Sequence, residues 1–214
     1  MSTMSTGAEA TGRSYAGRSP DERDAQRRAR LLAAAREIIG TQGYAATTIP
    51  GVCAAAKVST RHFYRLYGTK EDLFVDLYDQ VTAESYTRVT ASLTETTGRH
   101  IRERIPAAML AYLKPMVEDA RVARIAFVEI MGASPRIEQL RLDYRETLIG
   151  LVRHEGQEAV ARGEIADRDW RFASLALVGA ATAIVYDWML RTERPEVDEL
   201  EAAMAELALT LLTR

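Results

Sequence analysis

Residues 59–66, STRHFYRL, place cations and aromatic side chains on about two turns of a predicted helix. These side chains are Thr60, Arg61, Phe63, Tyr64 and Arg65. Cations bind phosphates and guanine edges, hydroxyls bind phosphate oxygens, and an aromatic ring packs on a thymine methyl group or a sugar. The segment therefore predicts a helix that contacts nucleic acid. The alternative is a solvated amphipathic helix that buries Phe63 and Leu66.

Three helix starts in close succession place this segment in a helix-turn-helix. Thr48, Ser59 and Thr69 each stand where a short polar side chain caps the next helix, and Asp72 completes a capping box with Thr69. Cys53 lies on the apolar stripe of the first short helix and is predicted to be inert core. Two short helices joined by a tight turn form a motif whose second helix enters the DNA major groove.

A longer helix precedes this motif. The sequence SPDE, residues 19–22, is a capping box with proline at the first helical position. The apolar spacing that follows predicts a helix ending near Gln42, with Gly43 after it. Residues 1–18 are rich in Ser, Thr, Gly and Ala and are predicted to be a disordered arm, either a simple tail or a minor-groove contact.

Charge is distributed unevenly along the chain. Residues 23–70 contain nine basic and two acidic residues, a net charge of +7, whereas the whole chain carries −2. The remainder therefore carries −9. A basic segment on an acidic body is the pattern expected when one end of a protein faces phosphate.

Composition restricts the other function classes. Abundant Ala, Leu, Glu and Arg with few β-branched runs predict an all-α chain. One cysteine, no signal-peptide pattern and no unbroken apolar run of about 20 residues favour a cytoplasmic protein without a membrane span. The histidines His62, His100 and His154 have no ligand-spaced companions, so we predict no metal, no cofactor and no catalysis.

Residues 24–74 resemble the DNA-binding domain of the TetR family of bacterial one-component regulators. The segments that carry the resemblance are LLAAAREIIGTQGY, ATTI, AKVS, TRHFYRLYG and TKEDLF. The resemblance implies an all-α fold of about nine helices. It also implies a helix-turn-helix DNA-binding domain at residues 19–70 and a larger helical effector-binding and dimerisation domain at residues 71–214.

The resemblance also implies roles for individual residues. Phosphate contacts are implied for Thr47 or Thr48, Tyr64 and Lys70, and base-edge or phosphate contacts for Ser59, Thr60, Arg61 and Phe63. Arg61 is the best candidate for a guanine, because its planar fork matches O6 and N7. The sequence departs from the family at Lys57, where glycine is common, and a lysine there is strained if φ is positive.

Two stripes in the last two predicted helices indicate a dimer interface. One is a coiled-coil-like seam with 3, 4, 3, 4 spacing, and the other is a small-residue face on the preceding helix. The seam is Val197, Leu200, Met204, Leu207 and Leu211, and the small face is Ala176, Gly179, Ala180 and Ala183. The resemblance implies a four-helix bundle around a two-fold axis; the alternative is packing inside one subunit.

Soft and aromatic side chains in the middle helices are candidates for an effector pocket. They are Met109, Tyr112, Met116, Phe127, Met131, Tyr144 and Trp188. Such residues also make ordinary cores, and the resemblance alone favours a cavity for a small hydrophobic effector. Glu129 and Asp187 are acidic residues within apolar runs, interpreted as polar anchors, dimer contacts or surface residues.

Together these patterns predict a dimeric repressor that binds a near-palindromic DNA operator and is released from it by a ligand. Two alternatives remain open at this level. One is a helical ligand-binding protein that no longer regulates DNA, and the other is an activator or ligand-independent regulator of the same fold.

Overall fold

The computed structural model describes residues 19–213, which form nine α-helices and one π-helical turn with no strand among them. The helices are α1 Pro20–Gln42, α2 Ile49–Ala56, α3 Thr60–Leu66, α4 Lys70–Glu95, α5 Ile101–Glu118, α6 Ala120–Arg124, α7 Pro135–Ala161, α8 Trp170–Leu190 and α9 Val197–Thr213. The π-turn, Ile125–Glu129, directly continues α6. The predicted all-α class with about nine helices is confirmed. The predicted arm, residues 1–18, lies outside the described residues.

Side-chain caps determine where the first four helices begin. Ser19 accepts the N–H of Glu22, and Thr48, Ser59 and Thr69 each accept the N–H three residues further on. The boxes at Ser19 and Thr69 are reciprocal, because the third helical residue also accepts the N–H of the cap. Each cap satisfies an otherwise unpaired donor of the first turn. The helix starts predicted from the sequence are confirmed.

The first three helices share one small core with the start of α4. We call residues 19–70, which contain α1 to α3, the recognition unit, and the following residues, which contain the rest of α4 and α5 to α9, the effector unit. Leu31 and Ile39 of α1, Val52 of α2 and Phe63 of α3 are fully buried, as is Phe74 of α4. This core fixes α3 against α1, so that only the outer face of α3 is left to solvent.

The effector unit is built around α5. That helix packs against α4 on one side and α9 on another, while α7 packs against α8 and α8 against α9. Buried side chains from all five helices form one continuous core with the recognition unit.

The segment between α5 and α7 is not one regular helix. Asp119 caps the short α6, and the backbone widens into the π-turn before the chain reaches Gly132, whose φ is 69°. A π-turn inside a helix frequently marks a functional site. Here α6 packs against α1 so closely that a methyl group on Gly40 would lie 2.4 Å from Arg121 Cβ.

Candidate DNA interface and effector cavities

The N-terminal end of α3 presents short polar side chains to solvent. Ser59 Oγ accepts the backbone N–H of His62 at 3.4 Å and lies 2.7 Å from His62 Nδ1. Thr60 is exposed at the first helical position. In a docked helix-turn-helix, the first residues of the second helix reach base edges. Both residues therefore lie where such contacts are made.

Arg61 and Tyr64 dominate the outer face of α3. Tyr64 keeps 59% of its surface exposed, and Arg61 is exposed without an ion pair among residues 19–213. Arg65, in contrast, pairs with Asp24 of α1, and its hydrogen bond lowers the pKa of that carboxyl group. Arg61 is therefore the cation of α3 that remains open to a phosphate or a guanine.

Phe63 does not belong to this face. Its side chain is fully buried, with its ring centroid 5.6 Å from that of Tyr67 and edge-on to Tyr64 at 5.5 Å. A fully buried ring cannot pack on a base, so the predicted DNA contact of Phe63 is wrong. The alternative prediction, that Phe63 and Leu66 pack inward, is correct for Phe63, while Leu66 is half-buried.

The loop before α2 is held by the other predicted phosphate ligands. The Thr47 hydroxyl is buried and donates to the Gly43 carbonyl at 2.7 Å, so the predicted phosphate contact of Thr47 is wrong. Lys70 Nζ donates to the carbonyls of Tyr44 at 2.9 Å and Thr47 at 3.0 Å, and lies 4.2 Å from the Tyr44 ring centroid. An ammonium has three donors, so one remains on Lys70. Thr48 is exposed.

Lys57 lies at the turn between α2 and α3. Its φ of 52° and ψ of 45° place it in the left-handed region, the only non-glycine residue there among those described. The side chain is exposed, and the Lys57 carbonyl accepts from Arg30 Nη1 at 3.4 Å. The turn therefore keeps a cation beside α3 in a conformation that favours glycine.

Glu129, at the end of the π-turn, joins the two units. Its Oε2 accepts the backbone N–H of Tyr44 at 2.7 Å, and its Oε1 accepts from Arg124 Nε at 2.8 Å. Arg124 also donates from Nη1 to the Thr41 carbonyl at 2.8 Å. Glu129 thus binds the loop after α1, a role that differs from the predicted ligand anchor, dimer contact or surface position.

A second set of ion pairs strengthens the same junction. Arg36 Nη2 lies 3.0 Å from Asp119 Oδ2, and Arg121 pairs with both Asp119 and Glu37. The hydrogen bond from Arg121 is the main cause of the lowered pKa of Asp119. Sequence reasoning missed this network, because its pairs with α1 join residues more than 80 positions apart.

Two adjacent cavities lie in the effector unit. The larger, of about 90 Å³, is bordered almost entirely by apolar side chains from α4, α5, α7, α8 and α9. The smaller, of about 50 Å³, lies nearer the recognition unit and is bordered in part by polar side chains of α4 and α7. Tyr112, Leu148 and Val178 border both cavities and form the wall between them.

The structure places six of the seven predicted pocket residues on these cavities. Met109 borders the larger cavity and Tyr112 borders both, while Met116, Phe127, Met131 and Tyr144 border the smaller. Met131 is 56% exposed. Trp188 borders neither cavity, because its indole is buried elsewhere and donates from Nε1 to the Pro195 carbonyl at 3.2 Å. The prediction for Trp188 is wrong.

Polar residues on the cavity walls were missed by sequence reasoning. Ser85 and Arg145 border the smaller cavity, and Glu155, paired with the buried Arg104 at 2.5 Å, borders the larger. Ser85 did leave a signal in the sequence. It takes a place on the apolar stripe that runs from Leu77 every fourth residue along α4, and a polar residue on such a stripe is either paired or functional.

An apolar stripe along α8 is left uncovered by the single chain. Gly179 and Ala183 of the predicted small-residue face are exposed, and Ala176 and Ala180 are half-buried. Large apolar side chains continue the stripe at both ends, with Phe172 71% exposed and Leu190 60% exposed. An uncovered apolar stripe of this length indicates an interaction surface.

The seam predicted on α9 is used inside the subunit in part. Leu200 and Met204 are buried where α9 packs against α5 and α8, so their predicted role at a dimer interface is wrong. Val197, Leu207 and Leu211 remain half-buried. The stripe with open surface is therefore that of α8 rather than the α9 seam.

Length and composition alone also make α8 a candidate membrane span, against the expectation from the sequence. About 39% of its most apolar window is buried inside the structure, and the helix packs on α7 and α9.

Asp187, near the end of α8, is exposed and pairs with Arg191 at 2.7 Å. It borders neither cavity. In residues 19–213, no three His, Cys, Asp or Glu side chains cluster as a metal site would require.

Several proteins of known role or structure are similar to this chain. The fatty acid metabolism regulator protein of Bacillus subtilis is 20% identical over 182 residues, covering 83% of this chain and 91% of that protein. The fatty acid degradation regulator FadR of Bacillus halodurans has a TM-score of 0.78 at 17% identity, covering 90% of this chain and 96% of that one. FadR of Bacillus subtilis in complex with stearoyl-CoA has a TM-score of 0.77 at 18% identity, covering 86% and 97%. At these identities the structures share a fold.

Family models cover both units of the chain. The model for bacterial regulatory proteins of the tetR family matches residues 31–77, and the model for the tetracyclin repressor-like C-terminal domain matches residues 98–212. The second match alone spans more than half of the 214 residues. The first includes the helix-turn-helix whose outer face carries Arg61 and Tyr64. The chain belongs to the TetR family and is a DNA-binding transcriptional regulator.

Proposed function

We propose that this regulator is a homodimeric, cytoplasmic repressor that a long-chain acyl ligand releases from a near-palindromic operator. It acts by binding rather than by catalysis. One observation carries the ligand-release part of the proposal. The segment formed by α6 and the π-turn borders the smaller cavity and also holds α1 and the loop after it. A ligand that reshapes the cavity therefore acts on the segment that positions the recognition unit.

The DNA contacts are proposed for the exposed residues of the recognition unit, residues 19–70. Arg61 reads a guanine, and Thr60 and Ser59 contact base edges or phosphates beside it. Tyr64 and Thr48 bind phosphates. The exposed ammonium of Lys57 and the remaining donor of Lys70 add charge near the same backbone.

Dimerisation is proposed for residues 71–214, through the uncovered stripe of α8 and the half-buried edge of α9. Gly179 and Ala183 allow a second α8 to approach closely, and Phe172 and Leu190 add apolar area at the ends of the stripe. A two-fold arrangement places the same stripe on both partners. It also sets two copies of α3 on successive major grooves of a palindrome.

The dimer surface is tested by Ala183→Glu, which places a carboxylate in the middle of the stripe. We expect a monomer by sedimentation velocity at micromolar concentration. Ala91→Glu, at an exposed alanine on α4, is the matched control and leaves the dimer intact. A dimeric Ala183→Glu protein would show that this stripe is not the interface.

The acyl class of the effector follows from the cavities together with the relatives. An apolar cavity joined across a thin wall to a partly polar one suits one long apolar chain with a polar head. A structural relative, FadR of Bacillus subtilis, binds stearoyl-CoA, and a curated relative regulates fatty acid metabolism. We therefore propose a long-chain fatty acyl group.

The release step needs two conformations that bind the ligand differently. In the described conformation the cavities total about 140 Å³ (90 Å³ and 50 Å³), close to the roughly 150 Å³ engineered cavity that holds a benzene. A long acyl chain therefore requires the walls to move. Val122, Ala126 and Phe127 border the smaller cavity, so their displacement shifts α6 against α1 and changes the spacing of the two α3 helices.

Fluorescence anisotropy tests the release. The protein is bound to a labelled duplex from its own upstream DNA, and stearoyl-CoA is added, with free coenzyme A as the control. We expect stearoyl-CoA to release the protein from the duplex and coenzyme A to leave it bound.

Other outcomes assign the alternatives. Ligand binding without sequence-specific DNA binding identifies a ligand-binding protein that no longer regulates DNA. Tighter DNA binding with the ligand identifies an activator. An unchanged complex at saturating stearoyl-CoA contradicts release by this ligand.

A further inference from the structure

Three buried polar atoms on residues that border the smaller cavity have no hydrogen-bond partner. They are Ser85 Oγ on α4 and Tyr144 Oη and Arg145 Nε on α7. All three residues border that cavity, and Ser85 is only 3% exposed. An unpaired buried polar group destabilises a fold, so each such group in a native structure needs an explanation.

Three other polar side chains that border the same cavity form hydrogen bonds. Thr82 and Thr182 donate their hydroxyls to helix carbonyls at 2.9 and 2.8 Å. Arg141 binds both oxygens of Glu138 at 2.9 and 2.6 Å. Arg145 pairs through Nη2 with Glu146 Oε1 at 3.7 Å, so only its Nε is left without a partner. Among the described side chains that border this cavity, the buried atoms without a partner are therefore on Ser85, Tyr144 and Arg145.

The Ser85 and Tyr144 hydroxyls lie close to each other on the cavity wall. Burial raises the pKa of the Tyr144 phenol to about 12, and the nearby Ser85 hydroxyl opposes that rise. The two groups are thus close, yet they do not form a hydrogen bond of good geometry. The Tyr144 ring is held edge-on to Tyr78, with centroids 6.3 Å apart. Each hydroxyl therefore still has its donor available for an acceptor on a ligand.

We propose that Ser85, Tyr144 and Arg145 form the head-group subsite for the acyl ligand, which deepens the proposed function and rests on it. The Ser85 and Tyr144 hydroxyls donate to the acyl carbonyl oxygen. The Arg145 guanidinium faces the anionic part of the head, which is the carboxylate of a free fatty acid or the phosphates of a coenzyme A thioester. The alkyl chain passes the wall of Tyr112, Leu148 and Val178 and occupies the larger, apolar cavity.

This orientation places the head beside the junction with the recognition unit. Ala126 and Phe127 of the π-turn border the cavity that holds the subsite, and Glu129, at the end of the same turn, binds the Tyr44 N–H. The larger cavity, which takes the alkyl chain, is bordered by Trp170 and Leu212 among others. Binding of the head therefore acts on α6 and the π-turn, while the larger cavity limits the length of the chain.

Calorimetric titration with stearate and with stearoyl-CoA tests the subsite. The variants are Ser85→Ala, Tyr144→Phe and Arg145→Met. Tyr86→Phe, at a half-buried tyrosine of α4 that borders neither cavity, is the control. We expect each lost hydroxyl to weaken the binding of stearate and of stearoyl-CoA about 3- to 10-fold. Arg145→Met is expected to weaken the binding of the probe whose anion Arg145 contacts by at least about 10-fold. The probe whose binding Arg145→Met weakens more identifies the head group of the natural ligand.

The Tm of the ligand-free variants distinguishes a binding role of the hydroxyls from a structural one, because the two roles change the Tm in opposite directions. Removal of an unpaired hydroxyl relieves its desolvation cost, so Ser85→Ala and Tyr144→Phe are expected to raise the Tm by about 2–4 °C. A residue whose hydroxyl stabilises the fold would lower it. The combination of a higher Tm and weaker ligand binding is specific to a binding subsite.

The outcomes separate the subsite from the proposed function. If the wild-type protein binds neither probe, the acyl effector and the subsite both fail. If the wild type binds a probe and the double variant Ser85→Ala with Tyr144→Phe binds it equally well, the acyl effector stands and the head-group assignment is overturned.

Discussion

The recognition unit and the effector unit differ in how many of their buried polar atoms lack a hydrogen-bond partner. In the recognition unit, side-chain caps pair the first N–H groups of the helices, and Thr47 and Lys70 bind loop carbonyls. Among the described buried side-chain nitrogens and oxygens of this unit, only Arg36 Nε lacks a partner. The effector unit has six such atoms without a partner, all between residues 85 and 174, while Glu155 Oε2, which also lacks a hydrogen bond, forms the ion pair with Arg104. Nearly complete pairing favours a rigid reader of DNA, whereas unpaired atoms and free volume favour a unit completed by a ligand.

The junction between the units combines both characters. Ion pairs of Arg36 and Arg121 fasten α1 to α6, and Glu129 binds the Tyr44 N–H after α1, while the π-turn that follows α6 borders a cavity. A rigid unit and an incomplete one are thus joined by a short, widened helix. Under the proposed function, ligand binding reorders the effector unit and moves the recognition unit as a body.

The largest change in the free energy of unfolding is expected from replacing one leucine in each unit by alanine. Leu31→Ala removes a fully buried side chain from the recognition core and is expected to lower the free energy of unfolding by about 4–5 kcal/mol. Leu148→Ala, in the wall between the cavities, loses fewer contacts and is expected to cost about 3 kcal/mol or less. Urea unfolding of both variants measures the difference. An equal loss would show that the cavities are packed in solution.

A smaller effect tests the junction itself. In Gly40→Ala the added methyl group meets Arg121 of α6, so we expect a loss of about 1–3 kcal/mol from overpacking. Gly150→Ala is the control, since nothing lies within 4 Å of the added group and a helical alanine there is expected to gain about 0.5–1 kcal/mol. Opposite signs in urea unfolding support the tight approach of α1 and α6. A gain in both variants would place α6 further away.

The smallest effect concerns strain in the recognition unit. Lys57→Gly relieves the left-handed backbone and is expected to be about 1 kcal/mol more stable than Lys57→Ala, which keeps the strain. Both variants remove one cation, so the slope of operator affinity against salt is expected to fall by about one in each. Equal stability would mean that the turn relaxes around alanine, and an unchanged slope would separate Lys57 from the phosphates.

The sequence predicted the parts of the fold that are set locally. The caps at Ser19, Thr48, Ser59 and Thr69 act within three residues of each helix start, so their spacing was sufficient. The resemblance to the TetR family, confirmed by the family matches, supplied the rest of the architecture.

Side-chain direction and long-range packing were harder to predict. Phe63 was assigned to the DNA face because aromatic residues suit bases, but its position on α3 faces α1 and the core. Leu200 and Met204 were assigned to a dimer seam, because the α9 pattern does not show that another helix of the same chain covers it. Whether Ser85 has a partner depends on α7, about 60 residues away in the sequence.

Operator reading by the outer face of α3 is tested by one titration. Wild type, Arg61→Ala and the control Arg153→Ala, an exposed arginine of α7, are titrated by fluorescence anisotropy against upstream DNA and a scrambled duplex. We expect wild type and Arg153→Ala to bind the upstream DNA at roughly 10 nM or tighter. We expect Arg61→Ala to lose about 1–3 kcal/mol on that DNA alone. If wild type binds both duplexes equally and Arg61→Ala leaves that binding unchanged, the outer face of α3 does not read the operator sequence.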